Sequence, residues 1–496
     1  MLFNEELNLL LRARYPILYI SSFEEDRLEY TIRKTIKEKS NKAMYTWDFV
    51  EGYKTNSTNP RFAAKNPLQA LELVEKLTED TPAIFILKDF NKFLDDLSIS
   101  RKLRNLITTL KTQPKTIIIL ATEIEIPNDL KEIITILKFK SPSYKEIKIE
   151  LIRLCKSLNK EIELEFLERL TKSCQGLSIE KIRRALSKSI AKDGTINHNT
   201  INFVLNEKKL LISQIEILEF FQTTNKFKDI GGLEILKKWL TNRKESFSEK
   251  AKLYGLPKPR GLILTGIQGT GKSLTAKAIA NEWELPLLQL DIGRLFGGIV
   301  GESEGRIRQM IELVEALEPC VLWIDEIDKA FSENQNSGDS GTTKRVLGTL
   351  ITWLSEKKSA VFVVATANNL SNLPLELTRK GRFDEIFFVD LPTTNERQKI
   401  FQVLLQRLRP QSQITFNIQK LSHNSKGFSG AEIEQAITEA MVIAFNEKRE
   451  FTNLDILLGL KEIVPLSQLD SERLQKIQNL ALSGRIRLAS KITNES

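Results

Sequence analysis

Hydrophobic residues in the first 125 positions come in short runs separated by amphipathic stretches. Tyr15-Pro16-Ile17-Leu18-Tyr19-Ile20 is apolar and short, as a buried strand is. A helical pattern follows to about Glu38. Ala43-Met44-Tyr45-Thr46-Trp47 predicts a second strand and residues 68–78 a second helix. Ala83-Ile84-Phe85-Ile86-Leu87-Lys88-Asp89 predicts a third strand that ends in a polar step. A helix near 101–111 leads to a fourth strand, Thr116-Ile117-Ile118-Ile119-Leu120-Ala121-Thr122. Strands alternating with helices predict a parallel α/β sheet. Residues 142–207 carry helical patterning alone.

The same order returns further on. Residues 16–35 lie where 260–280 lie, 85–89 where 322–326 lie, 118–122 where 362–366 lie, and 174–182 where 425–433 lie. Two copies of one unit are therefore expected, with weak identity between them.

Only the second copy carries recognisable chemistry. The apolar run Gly261-Leu262-Ile263-Leu264-Thr265 leads into Gly266-Ile267-Gln268-Gly269-Thr270-Gly271-Lys272-Ser273, and a helix pattern follows to Trp283. Strand, glycine loop, lysine, hydroxyl, helix is the phosphate-binding P-loop in the context that makes the motif specific. Its backbone N–H groups can point at phosphate oxygens, and the helix N-terminus adds partial positive charge. Lys272 suits the β- and γ-phosphates, and Ser273 suits Mg²⁺. In the first copy, residues 21–28 hold neither glycine nor lysine, and Glu24, Glu25 and Asp26 would repel a triphosphate. A recognition or assembly role is expected there.

Val321-Leu322-Trp323-Ile324-Asp325-Glu326 is an apolar strand ending in two carboxylates. Asp325 is expected to organise Mg²⁺ through its water shell, and Glu326 to polarise an attacking water. Asn368, at the end of the run Val361-Phe362-Val363-Val364-Ala365-Thr366-Ala367, is placed to bond the γ-phosphate or that water. Arg379 and Arg382 flank Gly381, three residues apart. If they lie on the far side of the domain from the P-loop, they can reach only a nucleotide held by a neighbouring subunit.

Composition narrows the partners. The 496 residues carry 73 basic and 64 acidic side chains, a net +9, which is a mildly basic surface and not a nucleic-acid tail. Nothing approaches the ~18–20 apolar residues of a membrane span, and Met1 to Leu11 do not read as a secretory signal. Cys155, Cys174 and Cys320 have no metal-ligand spacing and read as idle thiols of a reducing compartment. His198 and His423 have no partners for a metal site or a triad.

Together these motifs resemble the AAA subgroup of the AAA+ ATPases. The turn at 229–233, the P-loop, Asp325-Glu326, Asn368, Gly381-Arg382-Phe383-Asp384 and Gly427-Phe428-Ser429-Gly430-Ala431 follow the family order. The resemblance implies an α/β P-loop NTPase (AAA+) core with a C-terminal helical lid, preceded by a degenerate AAA-like α/β plus helical domain. It implies boundaries at 1–141 (degenerate α/β), 142–207 (helical, lid-like), 208–225 (linker), 226–394 (core), 395–462 (lid) and 463–496 (tail). It also implies ATP with Mg²⁺ held between subunits of a ring, hexameric in most relatives, and a protein client. Asp229, Gly231, Gly430 and Ala431 join the P-loop as nucleotide-binding candidates. The whole chain resembles the AAA proteins encoded in algal plastid genomes and in cyanobacteria, which implies the plastid stroma or the cyanobacterial cytoplasm.

Three departures bear on function. Ile267-Gln268 replaces the family's Pro-Pro, leaving the glycines and Lys272 intact. Ile299-Val300-Gly301 stands where unfoldases of the family place an aromatic pore-loop residue; Phe296 is near but off register, and Gly297-Gly298 would make the loop mobile. Leu404 stands where many relatives carry a base-contacting histidine. A remodeller of a protein client is expected first. The alternatives are a nucleotide-switched scaffold that does not thread, and a nucleic-acid remodeller.

Overall fold

The computed structural model describes residues 3–39, 42–54, 65–77, 81–158, 162–296, 302–332, 340–410, 416–469, 471–480 and 486–490. The chain divides into two compact units, one of residues 1–161 with 177–187 and the other of 162–176 with 188–496. The division passes through helix Ile179–Asp193.

The first unit is built on β1 (Ile17–Ser21), β2 (Ala43–Asp48), β3 (Gly52–Lys54), β4 (Ala83–Lys88), β5 (Lys115–Ala121) and β6 (Thr135–Lys138). Their order is β3-β2-β4-β5-β1-β6, parallel except for the β2–β3 pair. The four apolar runs read from the sequence are β1, β2, β4 and β5. Alternate residues supply two cores, one on each face: Ile17, Tyr19, Phe85, Leu87, Ile117 and Ile119 on one, Leu18, Ile20, Ile84, Ile86, Ile118 and Leu120 on the other. Burial on both faces is why these strands are continuous apolar runs.

The second unit contains β7 (Leu218–Phe221), β8 (Gly261–Gly266), β9 (Leu287–Leu290), β10 (Cys320–Ile324), β11 (Val361–Ala367), β12 (Glu385–Val389) and β13 (Arg487–Leu488). The order is β13-β12-β8-β11-β10-β9-β7, parallel except for the β7–β9 pair. Five strands follow one order in both sheets: β2-β4-β5-β1-β6 in the first and β9-β10-β11-β8-β12 in the second. The internal repeat is therefore one of topology.

β3, β6, β7, β9, β12 and β13 are strands that the sequence reading did not name, and two of them change the roles given to segments. β7 falls within the segment read as a linker and pairs antiparallel with β9. β13 falls within the segment read as a tail and extends the sheet beside β12. β7 is an edge strand whose apolar residues join the core, with Leu218 buried and Phe221 against Trp323, whereas β13 is two residues long and is held by backbone pairing. The lid helices Thr394–Leu408, Ile418–Asn424, Gly430–Asn446 and Asn453–Glu462 enclose Phe401, Leu405, Leu421, Ile433, Ile437 and Phe451. Thr393 with Glu396, and Ser429 with Glu432, form capping boxes that fix two of their starts.

Cys155, Cys174 and Cys320 are buried and unpaired with one another. Lys208, in helix Thr200–Ile212, is buried too. Burial pushes its ammonium down to about 8, weakly opposed by the Cys174 and Cys320 thiols. The folded state thus holds this proton less tightly than the unfolded chain. Its charge is a cost at pH 7, and the cost is relieved as pH rises from about 8 towards the ordinary lysine value. Lys208→Met should stabilise the second unit at pH 7 by on the order of 2 kcal/mol. The variant should also gain less stability than wild type between pH 7.5 and 9.5. Denaturant midpoints measured across that range check both.

Candidate nucleotide site

β8 delivers the glycine loop to the carboxyl edge of the sheet, where ligands of parallel α/β sheets sit. Helix Lys272–Glu282 starts from Gly271, whose left-handed backbone (φ 91°) turns the loop into the helix. Lys272 is buried and folds back over the loop, its Nζ donating to the Gly266 carbonyl at 2.9 Å and the Ile267 carbonyl at 2.7 Å. Burial pushes its ammonium down to about 8, against the pull of Asp328, Asp325 and Glu326. A buried cation satisfied only by carbonyls is a group suited to an anion.

Strand ends converge on the same place. Ser273 Oγ donates to Asp325 Oδ1 at 3.1 Å. Thr366 Oγ1 donates to the same carboxylate and accepts the Glu326 N–H at 2.9 Å. Glu326 has a left-handed backbone (φ 49°). Its Oε1 accepts from Asn368 Nδ2 at 3.1 Å, and its Oε2 pairs with Lys329 Nζ at 2.5 Å. Asp328 Oδ2 accepts the N–H groups of Asn368 and Asn369 at 3.2 and 3.0 Å. Ser273 and Asp325 are hard oxygen donors of the kind that hold Mg²⁺ beside waters and phosphate, so the residues present fit that ion.

The lid closes on the loop directly. The Ala431 N–H, in the first turn of helix Gly430–Asn446, donates to the Gly269 carbonyl at 3.1 Å. A Cβ on Gly269 (φ 75°) would lie 2.8 Å from Ser429 Oγ, so the loop approaches the lid helix only because that residue is glycine. Ile400 bridges the remaining candidates: its side chain packs on Gly231 and lies 3.8 Å from where a Cβ on Gly430 would stand. Asp229 Oδ2 accepts the Lys226 N–H at 2.7 Å and caps the turn before Gly231.

The arginines lie elsewhere. β12 runs parallel to β8, with Glu385 opposite Leu262 and Val389 opposite Gly266. Arg379 and Arg382 precede β12, so they sit at the amino edge of the sheet. Four residue steps of β8, about 13 Å at ~3.3 Å each, separate the two levels. Arg382 is held by Ser355 Oγ at 3.1 Å and by the Glu376 carbonyl. Arg379 is exposed and makes no ion pair among the described residues. Residues 297–301, the pore-loop positions Ile299, Val300 and Gly301 among them, lie outside the described residues, as does the side chain of Phe296. Leu404 is buried in the lid core.

Thr366, Asp328 and Glu396 belong to the arrangement and were not read from the sequence. The first two had a local signal, a hydroxyl and a carboxylate at strand ends beside Asn368 and Asp325. Glu396 had only a capping-box spacing.

The corresponding place in the first unit is filled from within. Glu24 stands where the glycine loop would, and its Oε1 accepts the N–H of Ile179 at 2.7 Å. Ile179 opens the helix that corresponds to Gly430–Asn446. Glu24 Oε2 accepts from Arg27 Nε at 2.9 Å. Lys88 occupies the position of Asp325, and its Nζ lies 3.2 Å from Glu25 and 3.4 Å from Glu29. Burial disfavours its charge, but the two glutamates outweigh that and raise its pKa. The polarity of the second unit is thus inverted: carboxylates on the helix, ammonium on the strand. Glu24→Ala should destabilise the first unit by about 2 kcal/mol. It should also speed hydrogen exchange at Ile179, with exchange at Ala431 unchanged.

Comparison with known proteins agrees along the chain. Residues 3–139 and 145–215 match the N-terminal and second domains of SpoVK-like AAA ATPases. Residues 262–391 match the model described as ATPase family associated with various cellular activities (AAA), and 415–457 match the AAA+ lid domain. The chain is 60% identical to the uncharacterized AAA domain-containing protein ycf46 of Trieres chinensis over 99% of both chains. It is 56% identical to that of Guillardia theta over 99% of this chain and 97% of the other. It is 31% identical to the proteasome-activating nucleotidase of Sulfurisphaera tokodaii over 58% of this chain and 74% of the other.

Proposed function

This chain belongs to the AAA ATPase family, and we propose that it binds ATP with Mg²⁺ between core and lid, hydrolyses it, and remodels a protein client as a ring of copies. The observation that carries this reading is the convergence of Lys272, Ser273, Asp325, Glu326 and Asn368 on one sheet edge under the lid helix.

Each residue has a distinct task. The 266–273 loop and Lys272 hold the phosphates, with Lys272 exchanging two carbonyls for phosphate oxygens. Ser273 and Asp325 hold Mg²⁺, which neutralises phosphate charge when bound. Glu326 accepts a proton from the attacking water, and Asn368 orients that carboxylate and the water. Arg379 and Arg382 of a neighbouring copy stabilise charge on the transferring phosphoryl group, because their own P-loop is at the other edge of the sheet. Asp229, Gly231, Gly430 and Ala431 bound the side occupied by the base.

The first unit, with its nucleotide position filled by Glu24, selects the client. The resemblance to proteins encoded in algal plastid genomes supports the plastid stroma as the site of action. One sequence feature favours a second reading, a nucleotide-switched scaffold: Ile299-Val300 offers no aromatic to grip an extended chain.

Lys272→Ala should abolish ATP binding. Glu326→Gln should keep ATP bound while turnover falls at least about 100-fold, read by calorimetry and phosphate release. Full turnover in Glu326→Gln would end its assignment as base. Mixed assemblies of Arg382→Ala and Lys272→Ala copies should recover part of the activity that each lacks alone, measured on co-purified rings. Failure of any mixture to exceed its parents would mean that the arginines do not act across subunits.

A further inference from the structure

The segment at 487–490 is more than a sheet edge. β13 pairs with β12, and the Ala489 N–H donates to the Phe388 carbonyl at 2.9 Å. The Ala489 carbonyl accepts the N–H groups of Ile235 and Leu236, both at 3.1 Å. Those two donors lie in the first turn of helix Glu234–Thr241, where backbone N–H groups have no partner within the helix. The segment therefore caps the helix that follows the turn at 229–233.

Glu396 completes the joint. It lies in the first turn of the lid helix Thr394–Leu408. Its Oε2 accepts the Thr393 N–H at 3.0 Å, which closes a capping box. Its Oε1 accepts the Leu233 N–H at 3.1 Å and the Ser490 hydroxyl at 2.6 Å. Leu233 has a left-handed backbone (φ 59°), an unfavourable state for a leucine that needs support. One carboxylate thus binds lid, turn and C-terminal segment. Gly231 packs so closely on Ile400 that a Cβ there would stand 2.4 Å from Ile400 Cγ1. Ile400 lies one turn beyond Glu396 and leads on to Gly430, which faces the Gly269 carbonyl.

We propose that Glu396, braced by Ser490 and the Ala489 carbonyl, is a positioning residue for the base side of the nucleotide site. It holds the 229–233 turn against the lid so that Gly231, Ile400 and Gly430 form one continuous wall. The inference rests on reading the site as an ATP site. It adds that base recognition depends on the C-terminal segment, whereas phosphate recognition does not: the bonds that hold the phosphate loop, from Lys272, to the Val389 carbonyl and from the Ala431 N–H, involve neither Glu396 nor residues 487–490.

The difference can be measured with two probes, ATP and inorganic triphosphate, on the full chain. In Glu396→Ala the KM for ATP should rise about tenfold with kcat within twofold. Affinity for triphosphate should stay at the wild-type value. Ser490→Ala, which removes a single hydroxyl, should move the KM in the same direction by two- to threefold and guards against a folding defect in the first variant. Glu396→Gln, whose amide oxygen still accepts from Leu233, should recover most of the loss. Equal loss of ATP and triphosphate affinity in Glu396→Ala and Ser490→Ala would overturn the proposal, as would an unchanged KM in both. If the wild-type chain bound triphosphate and ATP equally, the base-side wall would be refuted with the phosphate site intact. If it bound neither, the ATPase reading itself would fall.

Discussion

The second unit depends on how the N-terminus of helix Gly430–Asn446 finds its acceptors. A helix start leaves backbone donors without partners and carries partial positive charge, so something must face it. Here the Ser429–Glu432 capping box satisfies part of that need, and the Gly269 carbonyl takes the Ala431 N–H. The contact requires glycine at 269, since a side chain there would collide with Ser429. The residue type that lets the loop wrap phosphate is thus the one that lets the lid reach the loop. Loop and lid helix therefore meet at Gly269 itself.

The first unit solves the same problem without a loop. Its corresponding helix is met by the Glu24 carboxylate, a covalent part of the chain. An anionic side chain facing a helix N-terminus is favourable in the same sense as a bound phosphate. Lys88 with Glu25 and Glu29 then settles the remaining charge inside the cleft. A cleft whose anion is tethered has no ligand to gain or lose. Its two sides are joined within the chain by Glu24, whereas in the second unit the lid meets the loop read as the phosphate site. Two units of one topology therefore differ at this cleft: one meets its helix start with a carboxylate, the other with a glycine-loop carbonyl.

Much of this was legible in the sequence, and the limits have physical causes. β1, β4, β5, β8, β10 and β11 are buried on both faces, and their apolar runs state it. The P-loop and Asp325-Glu326 were legible because strand, glycines and carboxylates are contiguous in the chain. β13 was not, since a two-residue strand is held by backbone pairing to a distant segment, as Ala489 is to Phe388. Glu396 carried no sequence signal beyond its capping-box spacing from Thr393. Its second role depends on Leu233 and Ser490, which lie 163 and 94 residues away. The inversion at Lys88 was half legible: acidic residues at 24–26 announced the loss of phosphate binding, but only the fold shows Glu25 and the strand-end lysine in contact. No single-residue signal marks a site that is filled from within.

Sheet geometry also bears on assembly. In a parallel sheet every strand delivers its carboxyl end to one edge, so the loop after β8 and the carboxylates after β10 meet there without further design. The same rule sends residues that precede a strand to the opposite edge. Arg379 and Arg382 precede β12, and β12 lies beside β8 in register. Moving them to their own phosphates would mean breaking the Asp384 bonds to the Arg260 and Gly261 N–H groups, at 2.7 and 3.1 Å, which anchor the start of β8. That would dismantle the strand that carries the P-loop. If these arginines act on a phosphoryl group, as proposed, topology requires that it be one held by another copy, which is the physical argument for the proposed ring.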